Sequence, residues 1–221
     1  MLPTKSSSGV AAALASVVAL GTGVAMAQTG LPSLNAPDLA QGPYSYMQML
    51  LQKFWIDVAT IEVRVDKPTQ SHLATLAQGQ SYSKELEQQL AAFAFGAQRT
   101  VVLMTFKRHI PFNRWVGVLR DNLEQARKAG LITADIEKRI GQQLPQRLAS
   151  LQDRGFEKDD HFFYSVTADA VQVAVVSKGG QALANFTEKD MGARRAVMAC
   201  FFAPKSDYRD LLLRSLVGAK Q

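Results

Sequence analysis

Cysteine is nearly missing from this chain: 221 residues hold one, Cys200, alongside only three histidines, His72, His109 and His161. A single thiol excludes an internal disulfide, so a domain of this size must be held by packing alone. Cys200 falls on an apolar helical face beside Val197 and Phe201, where a buried structural thiol is expected and a redox-reactive one is the alternative. The histidines are far apart, and no His-x-x-x-His or carboxylate spacing suggests a zinc or iron site. Absent too are a Ser-His-Asp grouping, a glycine-rich phosphate loop, internal repeats and low-complexity tracts. The formal charge is +6, but no block of like charge concentrates it. Scattered cations read as a solvated surface; nucleic acid, which wants a basic stripe with interleaved aromatics, is not expected as a partner. Anionic lipid headgroups and acidic ligands stay open as partners of such a surface.

Long hydrophobic runs are scarce as well, the one exception being Val10 to Val24. Residues 1–27 carry one positive charge, Lys5, no acidic residue, that run of small apolar residues, and Ala25-Met26-Ala27 as an A-x-A-type site. The pattern is that of a signal peptide cleaved after Ala27, predicting a periplasmic or secreted protein. The run falls short of the roughly 20 residues of a spanning helix, so no membrane segment is expected after cleavage. No cysteine near Ala27 permits lipid anchoring. Residues 28–43, rich in Pro, Gly, Ser and Asn, read as a linker or strap, and 44–218 as one domain.

Within that domain, Phe54 to Val65 alternates as a long strand. His72 to Gly79 and Lys84 to Phe95 read as short helices. Thr100 to Lys107 alternates again and stops at Arg108-His109-Ile110-Pro111; Pro111 cannot donate to a ladder and suits a first helical turn. From there Phe112, Trp115, Val116, Leu119, Leu123 and Ala126 recur at helical spacing, and Gly130 fits a left-handed cap. Thr133 caps a second helix with the stripe Ile136, Ile140, Leu144, Leu148 and Leu151, which Pro145 is expected to kink or split near Leu144. His161 to Thr167 and Val171 to Ser177 form an antiparallel pair, and Ala182 to Phe186 a short strand after the Gly179-Gly180 turn. Thr187 and Ser206 are the expected caps of two final helices. Strands at both ends of a helical middle predict an α+β domain on an antiparallel sheet.

The block Arg99 to Lys128 resembles the bacterial branch of the chalcone isomerase-like family, whose members carry a strand ending in Arg-Asp-Ile or Arg-Asp-Val that runs into such a helix. The acidic turn of Leu151 to Asp160, the paired strands of Ser165 to Ser177, the glycine hairpin Lys178 to Leu183 and the closing segment Phe201 to Leu216 are similar to that family in order and character. The resemblance covers most of Tyr44 to Gly218. It implies an open-faced β-sandwich, a large antiparallel sheet with a layer of helices, holding a small apolar or anionic ligand, fatty acid or haem-like, in the gap between them.

In the plant enzymes of this family, a Tyr on the helix after the second strand, a Lys three residues later and an Asn four beyond that assist ring closure onto an enone. Setting Trp115 in the Tyr place puts Asn122 on the Asn but Val118 on the Lys; setting Arg114 there puts Gly117 on the Lys. Losing the charge that would stabilise a developing enolate costs a few kcal/mol in the transition state, so a non-catalytic ligand binder is expected. An isomerase or lyase acting on an unsaturated or phenolic carbonyl, and an assembly protein that binds partners, are the alternatives. Arg64 stands at about the place of the family's catalytic Arg, and His109 replaces an acid; with Arg108 they are the catalytic candidates. The ligand-binding candidates are Met104, Phe106, Arg108, His109, Arg114, Trp115 and Asn122. Arg108 and Arg114 suit a carboxylate or propionate fork, and His109 leaves haem open as a cofactor.

Overall fold

A computed structural model of the chain describes residues 46–53 and 55–218. The leader, its cleavage site, the 28–43 strap and Phe54 lie outside the described residues. Among the described residues six strands form one sheet: β1 (Tyr46–Lys53), β2 (Ile56–Val65), β3 (Thr100–Phe106), β4 (His161–Val166), β5 (Val171–Val176) and β6 (Ala182–Glu188). They lie in sequence order with every neighbouring pair antiparallel. Between β2 and β3 come α1 (Lys67–Ala77) and α2 (Lys84–Phe95). Between β3 and β4 come α3 (Phe112–Lys128) and α4 (Ala134–Arg147), and after β6 come α5 (Met191–Phe202) and α6 (Arg209–Arg214). The domain is α+β, as its sequence predicts.

Register settles which side chains meet the helices. Pairing sets Met49 beside Ile61, Ile61 beside Met104, Met104 beside Phe162 and Phe162 beside Val175, one row across five strands. Cross-strand partners share a face, and this row packs into the core with Leu73, Leu90, Leu123 and Phe201 from the helices. Its aromatics form a connected series: Phe106 on Phe156 at 4.5 Å between centroids, Trp115 on Phe162 at 5.5 Å, Phe162 on Tyr164 at 4.7 Å and Phe201 on Tyr208 at 5.3 Å. Each such ring buried contributes about 1.5–3 kcal/mol.

Several local expectations are corrected. The β1 strand was not apparent in the sequence: Met, Leu and Gln favour helices, and only pairing with β2 holds them extended. The first helix begins at Lys67, five residues before His72, because Asp66 accepts from Thr69 N at 2.9 Å and Pro68 sits in the first turn. β6 runs on to Glu188, since Thr187 pairs with Gln172 and Glu188 with Val171. Thr187 is therefore a ladder residue, and Asp190 caps α5, accepting from Gly192 N at 2.9 Å and Ala193 N at 3.1 Å. Pro145 does not split α4, which continues to Arg147; a Pro in the last turn removes one hydrogen bond at a point where the helix is already ending. Ser206 does not cap α6: Tyr208 is the N-cap, and the Ser206 hydroxyl donates to Cys200 O at 2.6 Å and accepts from Tyr208 N at 3.2 Å. Pro111 stands at the N-cap of α3, one position outside the first turn, and Gly130 takes φ 70° after its last turn.

The β1–β2 hairpin turns at Trp55, whose φ is 64° and whose side chain is 95% exposed. A bulky residue in the left-handed region is strained by about 1–2 kcal/mol, and glycine relieves that at some cost in unfolded-chain entropy. Trp55→Gly is expected to raise stability by about 1 kcal/mol, read as a higher urea midpoint at unchanged m.

Candidate functional site

A cavity of about 600 Å³ opens where the hairpin end of β1–β2 faces the junction between β3 and α3. Its floor is Met104, Phe106 and Ala59 from the sheet; Trp115 and Val118 of α3, with Tyr208 and Leu211, form the opposite wall. Gln52, Lys53, Arg108, His109, Arg114 and Asp207 stand on its lining as polar or charged groups. The change of period at Ile110 puts them there. β3 delivers Met104 and Phe106 inward, Lys107 N still donates to Val58 O at 2.9 Å, and the chain then leaves the ladder with Arg108 and His109 exposed. Ile110 exchanges backbone hydrogen bonds with Phe156, at 2.8 and 3.0 Å, which fixes where α3 begins.

A smaller space of about 40 Å³ adjoins it and shares Met104, Trp115, Val118 and Tyr208. Asn122, Tyr164 and Cys200 line this inner space. Asn122 is 6% exposed; its amide donates to Val118 O at 3.1 Å, and it hydrogen-bonds the Tyr208 hydroxyl. Burial, reinforced by Cys200 and Asp207, pushes the Tyr208 hydroxyl well above the usual tyrosine range against the lowering effect of Asn122. Burial does the same to Tyr164, and pushes the Cys200 thiol up to about 12. All three stay protonated at neutral pH, offering O–H and S–H groups instead of a base or nucleophile.

Of the residues singled out from sequence, Met104, Phe106, Arg108, His109, Arg114 and Trp115 come together on the larger cavity and Asn122 on the inner one. Arg64 does not join them. It alternates with Val63 and Val65, which pack into the core, so it belongs to the other face of the sheet. Sequence reasoning missed Lys53, Tyr208 and Asp207, which lie far from Arg108 in the chain; the aromatic run beside Cys200 was the available signal for Tyr208.

The His109 ring is held in place. Its Nδ1 lies 2.9 Å from Glu157 Oε1, both side chains being half exposed, and the ring rests against Gly155. Gly155 has φ 69°, and a Cβ there would stand 2.5 Å from Ile110 O and 3.1 Å from His109 Cε1. Only glycine permits this approach. Glu157 is positioned in turn by Asp160, whose Oδ2 accepts from Glu157 N at 2.8 Å and from Arg154 Nη1 at 2.5 Å. Were haem held here, His109 Nε2 would be the nitrogen left to ligate it, with Nδ1 oriented by the Glu157 carboxylate. Among the described residues no group of three or more His, Cys, Asp or Glu is placed to hold a metal ion. His161 bonds Thr105 Oγ1 at 3.1 Å and His72 stacks on Phe93 at 5.2 Å, both away from this lining.

The molecule is thus an α+β domain with an apolar cavity between sheet and helices and cations at the cavity's mouth. Compared with protein-family models and with curated proteins, the chain matches none. No helix among the described residues is long and apolar enough to cross a membrane.

Proposed function

We propose that this protein is an exported, periplasmic or secreted member of the chalcone isomerase-like family, an open-faced β-sandwich that binds a small apolar ligand with an acidic head without transforming it. The observation that carries this reading is the cavity of about 600 Å³, within the range of ligand sites, whose depth is apolar and whose mouth holds Lys53, Arg108, His109 and Arg114. A fatty acid suits it: the chain lies along Met104, Phe106 and Trp115, and the carboxylate meets the arginines at the rim. Haem is the second ligand of this shape, with propionates in the carboxylate's place. The alternative, an isomerase-type enzyme on an unsaturated or phenolic carbonyl, wants an acid or base in the cavity, for which His109 and Asp207 are the groups on its lining.

Native mass spectrometry of the protein purified from its own compartment, with a visible absorbance spectrum on the same sample, tests this. A retained lipid-sized mass, or haem with its Soret band, is the expected result. An apo mass that takes up neither added fatty acid nor haem would overturn it.

A further inference from the structure

The hairpin tip beside the cavity mouth carries a feature that ligand binding does not explain. Trp55 is held 95% exposed in a backbone conformation unfavourable to it, and Ile56 next to it is 47% exposed. Strain kept at a single bulky residue points to a role for that residue. Four exposed cations share this end of the molecule: Lys53 on the hairpin, Lys107, tied to β2 through Val58, Arg108 next to it on the cavity lining, and Arg114 on the first turn of α3. Three carboxylates stand there too: Asp57, which accepts from Gln52 Nε2 at 2.7 Å, Glu157, which bonds His109, and Asp207, so the cations outnumber them by four to three.

We infer that this end docks on the surface of an anionic lipid bilayer, with Trp55 and Ile56 at headgroup depth and the four cations on lipid phosphates. Tryptophan prefers that depth because its ring is apolar with one polar N–H, and basic side chains near an anionic surface add to the attraction. The cavity opens on the same side, Lys53, Ile56, Arg108 and Arg114 being common to its lining and to the docking surface. An acidic lipid therefore passes between bilayer and cavity without crossing water. This transfer rests on the ligand-binding reading above; the docking does not.

The test is co-sedimentation of the full chain with vesicles of phosphatidylcholine alone and of phosphatidylcholine with phosphatidylglycerol. Trp55→Gly is the variant, because Trp55 is not part of the cavity lining and its replacement relieves strain. Binding is expected to need phosphatidylglycerol, to weaken with salt, and to fall at least about fivefold in Trp55→Gly. The variant retains the apolar run Val10 to Val24, so the difference reports the hairpin tip alone. Trp55 and the buried Trp115 are the two tryptophans, and only the emission of the former is expected to shift to the blue on anionic vesicles. Equal binding by parent and variant, or no dependence on anionic lipid, would overturn the proposal. A concentration-dependent dimer in the absence of lipid, lost in Trp55→Gly, would assign the tip to a second copy of the chain and overturn it too. Retained ligand in a parent protein that does not sediment with anionic vesicles would overturn the docking and leave the ligand reading standing, whereas sedimentation of a protein that takes up no ligand would do the reverse.

Discussion

Asp160→Asn is expected to destabilise the fold by about 3 kcal/mol and to loosen the rim of the cavity with it. Asp160 is buried and accepts four hydrogen bonds: two from Arg154 at 2.5 and 3.1 Å, one from Glu157 N at 2.8 Å and one from Lys178 N at 3.3 Å. Breaking a buried pair from one side costs about 3–5 kcal/mol; the lower figure applies because Arg154 is one-third exposed and recovers part of its hydration. The same carboxylate sets a pH dependence. Burial alone raises the affinity of Asp160 for its proton, but the Arg154 hydrogen bonds and charge, with the backbone donors, hold it below the usual carboxylate range. Asp66 and Asp190 are shifted the same way, each against the opposing effect of burial, by backbone N–H donors and, for Asp190, by Arg139. A carboxyl whose folded value is depressed binds its proton more readily when unfolded. Its stabilisation is therefore complete above the unfolded value near about 4 and is lost as pH falls through the folded one. Urea midpoints should be flat from neutral pH down to about pH 5 and drop below it. Asp160→Asn should show a shallower drop, and a variant as acid-sensitive as the parent would remove Asp160 from the account.

Val118→Trp is expected to abolish ligand retention while leaving the fold intact. Val118 is half-buried on α3 and borders both the larger cavity and the inner space, so an indole there fills the passage between them. Because the added atoms enter open volume and not packed core, the cost of overpacking falls below the usual 1–3 kcal/mol or so. Affinity for a fatty acid should fall at least about tenfold, equivalent to roughly 1.4 kcal/mol. Titration of the delipidated protein, with circular dichroism as the check on folding, measures both. Undiminished affinity in a folded variant would place the ligand elsewhere.

The junction from β3 to α3 was legible because local signals agree. β-Branched residues alternate up to Phe106, Pro111 ends the ladder, and the stripe from Trp115 to Ala126 has helical spacing. Thr133 accepts from Ile136 N at 3.3 Å as its sequence position predicts. β1 and the end of β6 were illegible for the opposite reason. Leu50, Leu51 and Gln52 carry no preference for strand, and Thr187 is as good a cap as a ladder residue until Gln172 lies opposite it. The hairpin and the sheet, not the letters, choose between those outcomes.

The sequence by itself determined that this domain is α+β without disulfides, that a strand passes into a basic amphipathic helix at Ile110, and that aromatic and methionine side chains supply a core. Those properties follow from short-range periodicity, which the chain carries locally. Only the tertiary structure decided that Arg108, His109 and Arg114 share a cavity with Lys53 and Tyr208 while Arg64 does not. Which face a strand residue occupies depends on one step of register, and which distant residues meet depends on how helices lie across the sheet; both are set by burial of the whole core.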